Sequence, residues 1–486
     1  MTGFVHQVLS QVSSAFLKDA IYQNNEVNPA YFPEARLVVG LPVISGSSVS
    51  FNSRFAYNDV FNNLDNGVNE ISLDKFLGSL KDNNYLGANV RINDLYIGYR
   101  RNQAAISFFI NDRVDFDFFF PKALIDFAVN GNAGFIGETI DLSKLGVNAS
   151  HYREFGFGYT YFDKKDRFSV GYRAKLLSGF YHASTLNSFE GTLATNEDNF
   201  ALTANLKNAQ LRVVTVPDGG NFVFSSNLGA SVDLGFDYRY NDAFSIAFSL
   251  SDIGFISWKD DVDIEQVEDS EFTYEGVDIR NTDNLVDALE DSLQDKFNLI
   301  EDIDEPFTTL LPIRGNLTGT WHLTDNSEVA VAIMPRYVRG FLQMHYGAGI
   351  TQKLGRNLRL SVSANKLPQQ QFNMGASLAA HLGPLQIYGG TDKVLGYDLT
   401  EVRNFNYTFG INLAFGRGKV KKTKEYYPSK FRINGGEELT VRGKEKIYLI
   451  IKKQKPRKPV GAKGPTSSRP EVIPNNPRQP SDGSNN

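Results

Sequence analysis

The amino-acid sequence predicts an all-β membrane protein, a transmembrane antiparallel β-barrel. The first observation is the stretch 228–240, where apolar side chains fill every second position from Leu228 to Tyr240 and small or charged side chains fill the positions between them. Side chains of a strand point alternately to its two faces, so one face of this strand is apolar and the other polar. Thirteen alternating residues exceed the length of an average soluble strand and are enough to cross a bilayer, which takes roughly 9–11.

The second observation is that this alternation recurs, at 168–176, 358–365 and 405–415. A barrel in a membrane needs such a pattern because lipid surrounds it and its lumen is polar. The polar positions of two of these stretches predict five lumen-facing side chains, which are Arg173, Lys175, Asp233, Asp237 and Arg239.

Composition excludes several other classes of protein. Aromatic residues make up 13% of the 486 residues, which suits strands and aromatic girdles. There is no run of about 18 apolar residues, so the sequence does not predict a helical membrane protein. Cysteine is absent, and no two of the six histidines have metal-ligand spacing. The sequence therefore predicts no enzyme, no catalytic residues, no cofactor and no metal site.

Charge is segregated along the chain. Residues 258–306 carry eighteen acidic and three basic side chains, a net charge of −15, whereas residues 416–486 carry eighteen basic and six acidic ones, a net charge of +12. The acidic stretch reads as a loop inserted in the barrel, with an amphipathic helix from Thr282. A calcium site near Asp260 is the alternative, but the stretch lacks the glycine and the ordered twelve-residue loop of an EF-hand.

The chain ends have their own expected roles. Residues 1–27 have no basic n-region and are expected to be an export remnant or a flexible segment, with a frayed N-terminus as the alternative. Residues 416–454 are expected to form a basic segment with a small hairpin. The final 32 residues, 455–486, contain seven prolines and read as a disordered tail.

The order of several motifs resembles a known family. Asn28-Pro29-Ala30 precedes a Gly-Leu-Pro strand, 157–161 and 170–179 form paired strands, and Ser251-Asp252-Ile253-Gly254 and 383–393 follow. Together they are similar to FadL-like outer-membrane barrels of Bacteroidota, a largely uncharacterised group that includes relatives of PorV. The resemblance covers about 28–415 and implies an outer-membrane barrel of fourteen strands with a plug in its lumen. Asn28, Pro29 and Ala30 are the plug candidates.

The alternation itself marks eighteen candidate strands, more than the implied fourteen. They lie at 36–42, 47–56, 90–100, 104–112, 114–120, 154–162, 167–177, 199–206, 209–216, 228–240, 243–251, 312–323, 328–338, 344–353, 357–366, 371–382, 384–391 and 404–415. We predict fourteen wall strands, with sixteen as the alternative, and assign the surplus to plug or loop segments. Near-helical spacing at 58–88 and 124–127 predicts loop helices.

Two functions compete on this evidence. The acidic loop and the basic tail favour a non-enzymatic accessory or scaffold subunit of a secretion or envelope complex, as the PorV resemblance implies. Its protein partners would bind the tail, for which the candidates are Lys421, Lys422, Lys424, Ile447, Tyr448 and Ile450. The alternative is a FadL-like plugged channel that takes up a hydrophobic ligand. In both cases the barrel contacts outer-membrane lipid, the tail is periplasmic and no nucleic acid is bound.

Overall fold

The computed structural model describes residues 12–63, 69–165, 167–215, 223–274, 299–300, 303–366, 372–394 and 400–417, together with three short strands between 431 and 452. The chain forms two compact units, Met1–Glu425 and Tyr426–Asn486.

The first unit is built on a closed ring of fourteen antiparallel strands, which confirms the predicted fold class and strand number. The wall strands are β1 (Leu37–Gly40 and Ser47–Ser53), β2 (Asn83–Arg101), β3 (Ala104–Pro121), β4 (Gly146–Phe162), β5 (Phe168–Thr185), β6 (Leu228–Arg239), β7 (Phe244–Trp258), β8 (Ile313–His322), β9 (Ser327–Val338), β10 (Phe341–Leu354), β11 (Leu358–Lys366), β12 (Phe372–Leu382), β13 (Leu385–Thr391) and β14 (Asn404–Phe415). Both pieces of β1 pair with β2 on one side and with β14 on the other, and this pairing closes the ring.

The wall has the two faces that the sequence alternation predicts. On β6, Val232 and Leu234 are 45% and 51% exposed on the outside, whereas Asp233, which lies between them, is fully buried on the inside. Large apolar side chains are exposed in the same way on the outside of other wall strands, for example Ile350 and Val362. An outward apolar band is what a lipid environment requires.

The eighteen predicted strands reduce to fourteen for identifiable reasons. The predicted strands 36–42 and 47–56 are the two pieces of β1, and 104–112 and 114–120 are one continuous strand, β3. The predictions at 199–206 and 209–216 fall on loop strands outside the wall, Leu202–Lys207 and Gln210–Val214.

The two ends of the barrel differ. At one end, here called the terminus end, β1 begins, β14 ends and the turns are short, such as 102–103 and 383–384. The opposite end, here called the loop end, carries most of the long connections. The first helix, α1 (Val12–Ala15), lies near the start of the chain. The loop-end connections contain α2 (Tyr57–Val60), α3 (Leu73–Ser79), α4 (Lys122–Asn130) and the 3-10 helix Asn132–Phe135, so the predicted loop helices are present. No helix within the described ranges is both long and apolar enough to span a bilayer.

Extra strands also lie in the loop-end connections. Thr139–Asp141, Glu190–Thr195, Leu202–Lys207 and Ser270–Tyr274 form a four-stranded sheet, and Phe61–Asn63 pairs with Asn69–Ile71. Gln210–Val214 and Val262–Val267 pair with each other, Leu299–Ile300 extends this ladder, and Phe307–Leu310 pairs with the end of β7. The acidic stretch therefore contains strands, while most of its predicted helix lies outside the described residues.

The second unit contains a small antiparallel sheet. Glu437–Thr440 is its central strand and pairs with Phe431–Ile433 and with Ile450–Lys452. The pairing of Leu439 with Ile451 lies within the stretch where the sequence predicts a hairpin.

Candidate functional site

The lumen of the barrel contains the chain's own N-terminal residues. Residues 13–36, here called the lumen segment, begin in the helix α1 (Val12–Ala15), include the 3-10 helix Tyr22–Glu26 and lead into β1. Most of their side chains are buried. This location differs from the expectation of an export remnant or flexible segment for residues 1–27, of which the structure describes the part from Val12.

Hydrogen bonds join the lumen segment to strands around the ring. Ser13 Oγ lies 2.6 Å from Ser363 Oγ on β11 and donates to Asp392 beyond β13 at 2.7 Å. The amides of Gln23 and Asn412 on β14 donate to each other, at 2.7 and 2.9 Å. Further bonds reach β2, β5, β7, β10 and β12. The segment therefore crosses the lumen rather than lining one side of it.

The predicted plug residues lie inside the barrel, against β4 to β7. Asn28 Nδ2 donates to the backbone carbonyls of Phe236 and Phe248, each at 3.2 Å, and its Oδ1 accepts from Ala30 N at 2.9 Å. Thr160 on β4 donates to the Pro29 carbonyl at 2.8 Å. Asn28 thus makes a local turn while its amide binds the wall.

Two wall glycines make room for this turn. Gly171 on β5 and Gly235 on β6 are partners in the strand register. A Cβ atom at Gly171 would overlap the Pro29 carbonyl, and one at Gly235 would overlap the Asn28 side chain. The glycines are needed here because the backbone of the segment approaches the wall too closely for any side chain.

An ion pair joins the segment to a predicted lumen-facing residue. Lys18 Nζ lies 3.1 Å from Asp237 Oδ1, with side chains that are 11% and 25% exposed. Burial lowers the pKa of Lys18, but Asp237, Tyr31 and Asp19 together raise it by more, so that the pKa lies above its ordinary value and Lys18 is charged. Arg239, two residues further on, is exposed at the terminus end of β6.

The other three predicted lumen-facing residues belong to a buried charged network. Lys175 Nζ lies 2.8 Å from Asp233 and also contacts Asp252, and Arg173 Nε lies 3.5 Å from Asp233. The side chains of these four residues are at most 3% exposed. Opposite charges pair closely in the network, as buried ions must.

The network extends to residues that the sequence analysis did not single out. Glu154 contacts Lys175 and Arg113, and Asp117 accepts two hydrogen bonds from Arg336 at 2.9 and 3.0 Å. The sequence does contain a signal for these residues, because Arg113, Asp115 and Asp117 occupy alternate positions and so lie on the same face of β3. Splitting β3 into two predicted strands concealed it.

A hairpin closes part of the loop end. The turn between β9 and β10 consists of Arg339 and Gly340, both with positive φ, as in a type I′ turn. Arg339 donates to the carbonyls of Val147 and Thr185 across the ring, at 2.8 and 2.6 Å. Phe341 stacks on Phe119 with ring centres 4.8 Å apart.

Other predicted sites lie partly or wholly beyond the described residues. Lys421, Lys422, Lys424, Ile447 and Tyr448 are outside them, and Ile450 is described only as part of a strand. Within the described ranges, no three His, Asp or Glu side chains are grouped as a metal site would require.

Solved structures with a similar course of chain include transporters and channels. The toluene transporter TbuX of Ralstonia pickettii has a TM-score of 0.40 and 10% identity, over 85% of this chain and 96% of that one. A FadL homologue of Pseudomonas aeruginosa has a TM-score of 0.37 and 8% identity, over 85% and 100%. The toluene transporter TodX of Pseudomonas putida has a TM-score of 0.35 and 9% identity, over 84% and 98%.

Among curated proteins, none matches this chain. The model of one protein family, described as "Family of unknown function (DUF5723)", matches residues 29–392. This range begins at Pro29, which packs against Gly171, and ends at Asp392, which accepts a hydrogen bond from Ser13. The chain belongs to that family.

Proposed function

We propose that this protein is an outer-membrane channel that its own lumen segment closes, and that the segment has to move before a small molecule can pass. The observation that carries the proposal is the course of residues 13–36, which cross the lumen and bond to strands around the ring. This reverses the preference that the sequence analysis gave to an accessory role.

The membrane and orientation are part of the proposal. The outward apolar band supports insertion in a bilayer, and closed barrels of this kind belong to outer membranes. Bacterial barrels have short periplasmic turns and long extracellular loops. The terminus end would then face the periplasm, together with the tail, and the acidic loop would face outward.

The first solutes to test are hydrophobic small molecules. The FadL-like resemblance implies this class, and two of the structurally similar barrels are toluene transporters. We propose that the channel conducts passively and is not an enzyme.

A disulfide between the segment and the wall tests the proposal directly. The native chain has no cysteine, so the double variant Ser13→Cys with Ser363→Cys contains one defined pair, at positions whose Oγ atoms are 2.6 Å apart. Oxidation should stop both channel openings in planar bilayers and uptake of labelled toluene by cells, and reduction should restore them.

The matched control places both cysteines on the outer face of the wall, as Val362→Cys with Ala376→Cys, which are register partners on β11 and β12. Its openings should not depend on oxidation. Equal conductance of the oxidised and reduced Ser13–Ser363 pair would exclude the lumen segment as the barrier.

The accessory role is the second candidate, because the second unit has a sheet of its own and the tail is strongly basic. We propose the tail as a docking site for an envelope protein, in line with the PorV resemblance. Deleting the chain from Lys419 onward should leave the barrel folded and remove whatever protein co-purifies with the full chain from native membranes. A truncated chain that keeps its partner would exclude this candidate.

A further inference from the structure

A cavity with about 70 Å³ of free space lies between the lumen segment and the wall. Glu26 and Val27 of the segment form part of its lining, and β1, β2, β3, β7, β8, β9 and β14 supply the rest. Among the described residues that line the cavity, the charged ones are four arginines and a single carboxylate. These are Arg91, Arg113, Arg314, Arg336 and Glu26.

The carboxylates that pair with three of these arginines do not line the cavity. Arg336 pairs with Asp117 at 2.9 Å, Arg113 with Glu154 at 3.4 Å, and Arg314 with Asp252. The charged groups of the described lining are therefore guanidinium groups, with Glu26 as the one carboxylate among them. Such a surface favours an anion over a neutral solute.

The cavity lining also contains donors that lack acceptors. Among the described residues, no hydrogen-bond partner is present for Arg113 Nε, Arg336 Nε or Asn316 Nδ2, and the three residues are 3–4% exposed. A buried donor without an acceptor is unfavourable, and a planar guanidinium is suited to bind a carboxylate. The lining therefore calls for further acceptor oxygens.

Glu26 already supplies one carboxylate to this cavity. It forms an ion pair with Arg91, in which the side chains are 4% and 6% exposed. Glu26 belongs to the lumen segment and Arg91 to β2, so this ion pair is one of the contacts that hold the segment in place.

We propose that the cavity is a binding site for the carboxylate group of a small organic acid, and that Glu26 is the tethered competitor for this site. When the solute carboxylate takes the place of Glu26 on Arg91, the segment loses its ion pair with the wall. A ligand shifts an equilibrium by its differential affinity for the two states. Here the site is free only when the segment has moved, so the solute binds the open channel.

This inference rests on the proposed channel function and narrows its solute class. Benzoate and benzamide provide the test, because they have nearly the same shape and only benzoate carries a charge. In planar bilayers, benzoate should raise the opening frequency of the full-length protein to a plateau, and benzamide at the same concentrations should not.

The variant Glu26→Gln removes the competing charge from a residue outside the wall strands. We expect it to open about tenfold more often without benzoate, within the usual range of coupling between sites, and to respond little to added benzoate. Glu26→Asp keeps the charge and should keep the benzoate response. The band shift on heating before a denaturing gel shows that each variant barrel is folded.

A matched control loosens the segment elsewhere. Asp19→Asn removes the contact with Arg359, at 3.9 Å, and leaves the cavity unchanged, so its openings should still depend on benzoate. Equal effects of benzamide and benzoate on the opening frequency would overturn the inference. A Glu26→Gln variant that opens as rarely as the parent would also overturn it. If the Ser13–Ser363 disulfide silences the channel while benzoate has no effect, this inference alone fails. If the disulfide has no effect, the channel proposal itself fails.

Discussion

The lumen contains two kinds of contact: those between the lumen segment and the wall, and those between one wall strand and another. Contacts of the lumen segment with the wall are mostly neutral hydrogen bonds, such as those of Asn28 and Gln23, with a few ion pairs. The charged network of Lys175, Asp233, Asp252 and Glu154 joins wall strands to one another. The lumen segment can therefore move out of the lumen without breaking any of these wall ion pairs. The barrel wall can stay folded while the channel opens.

The largest expected effect follows from breaking the wall network. Lys175→Met removes the cation shared by three carboxylates and leaves the buried network one positive charge short, and breaking a buried ion pair in this way costs about 3–5 kcal/mol. We expect the barrel to lose most of its folded fraction. The measurement is the heat-dependent band shift, with a urea titration in detergent micelles. Lys164→Met, at an exposed turn position, is the control, and equal urea midpoints for both variants would contradict the network's structural role.

The next effect distinguishes the two faces of one strand. Phe236→Arg places a charge in the apolar band, at a cost of about 2–4 kcal/mol near the bilayer midplane. It should impair assembly into membranes. Asp237→Arg, one residue away, should assemble normally but repel Lys18, and so increase channel openings.

Membrane fractionation and bilayer recording of both variants separate these outcomes. The two-face assignment of β6 would be refuted if Phe236→Arg assembled as well as the parent. The role of the Lys18–Asp237 ion pair in holding the lumen segment would be refuted if Asp237→Arg opened as rarely as the parent.

The sequence predicts most of the wall strands but not the contacts inside the lumen. Alternation located most wall strands because side-chain direction in a strand is a local property. The prediction divided β3 at Arg113, directly after Asp112, which occupies an apolar position and is neutralised there by Arg153 on β4 with bonds of 2.9 and 2.6 Å. An outward ion pair of this kind interrupts the pattern without interrupting the strand.

The interior could not be predicted because its contacts join distant residues. Ser13 meets Asp392 and Arg336 meets Asp117, separations of 379 and 219 residues that no periodicity reveals. The Asn28-Pro29-Ala30 position in the lumen was anticipated only through the family resemblance. The glycines that receive it were visible in the sequence, but their pairing requires the register of β5 with β6.

A smaller effect is expected at those glycines. Gly235→Val adds a side chain where Asn28 lies, so the segment should be displaced while the barrel remains folded. Openings in planar bilayers should rise and trypsin should gain access to Lys18. Gly389→Val is the control, because the nearest atom to its added Cβ is 3.7 Å away. Unchanged trypsin access to Lys18 in Gly235→Val would show that the position of the lumen segment does not depend on the contact between Asn28 and Gly235.

The smallest effect on conductance is expected at the loop end, where Arg339 holds the β9–β10 hairpin. Arg339→Gln removes charged hydrogen bonds to the Val147 and Thr185 carbonyls, each worth about 1.5–3 kcal/mol. The lumen segment still crosses the lumen, so current should stay near zero. Access to the cavity from the loop end should increase, by about tenfold for each 1.4 kcal/mol lost.

A cysteine introduced by Ser251→Cys reports this access, since Ser251 lines the cavity and the native chain has no other thiol. Its labelling by a membrane-impermeant thiol reagent should be faster with Arg339→Gln than with Arg356→Gln, a change at an exposed turn of the terminus end. If Arg339→Gln alone produced large steady currents, the hairpin and not the segment would be the main barrier.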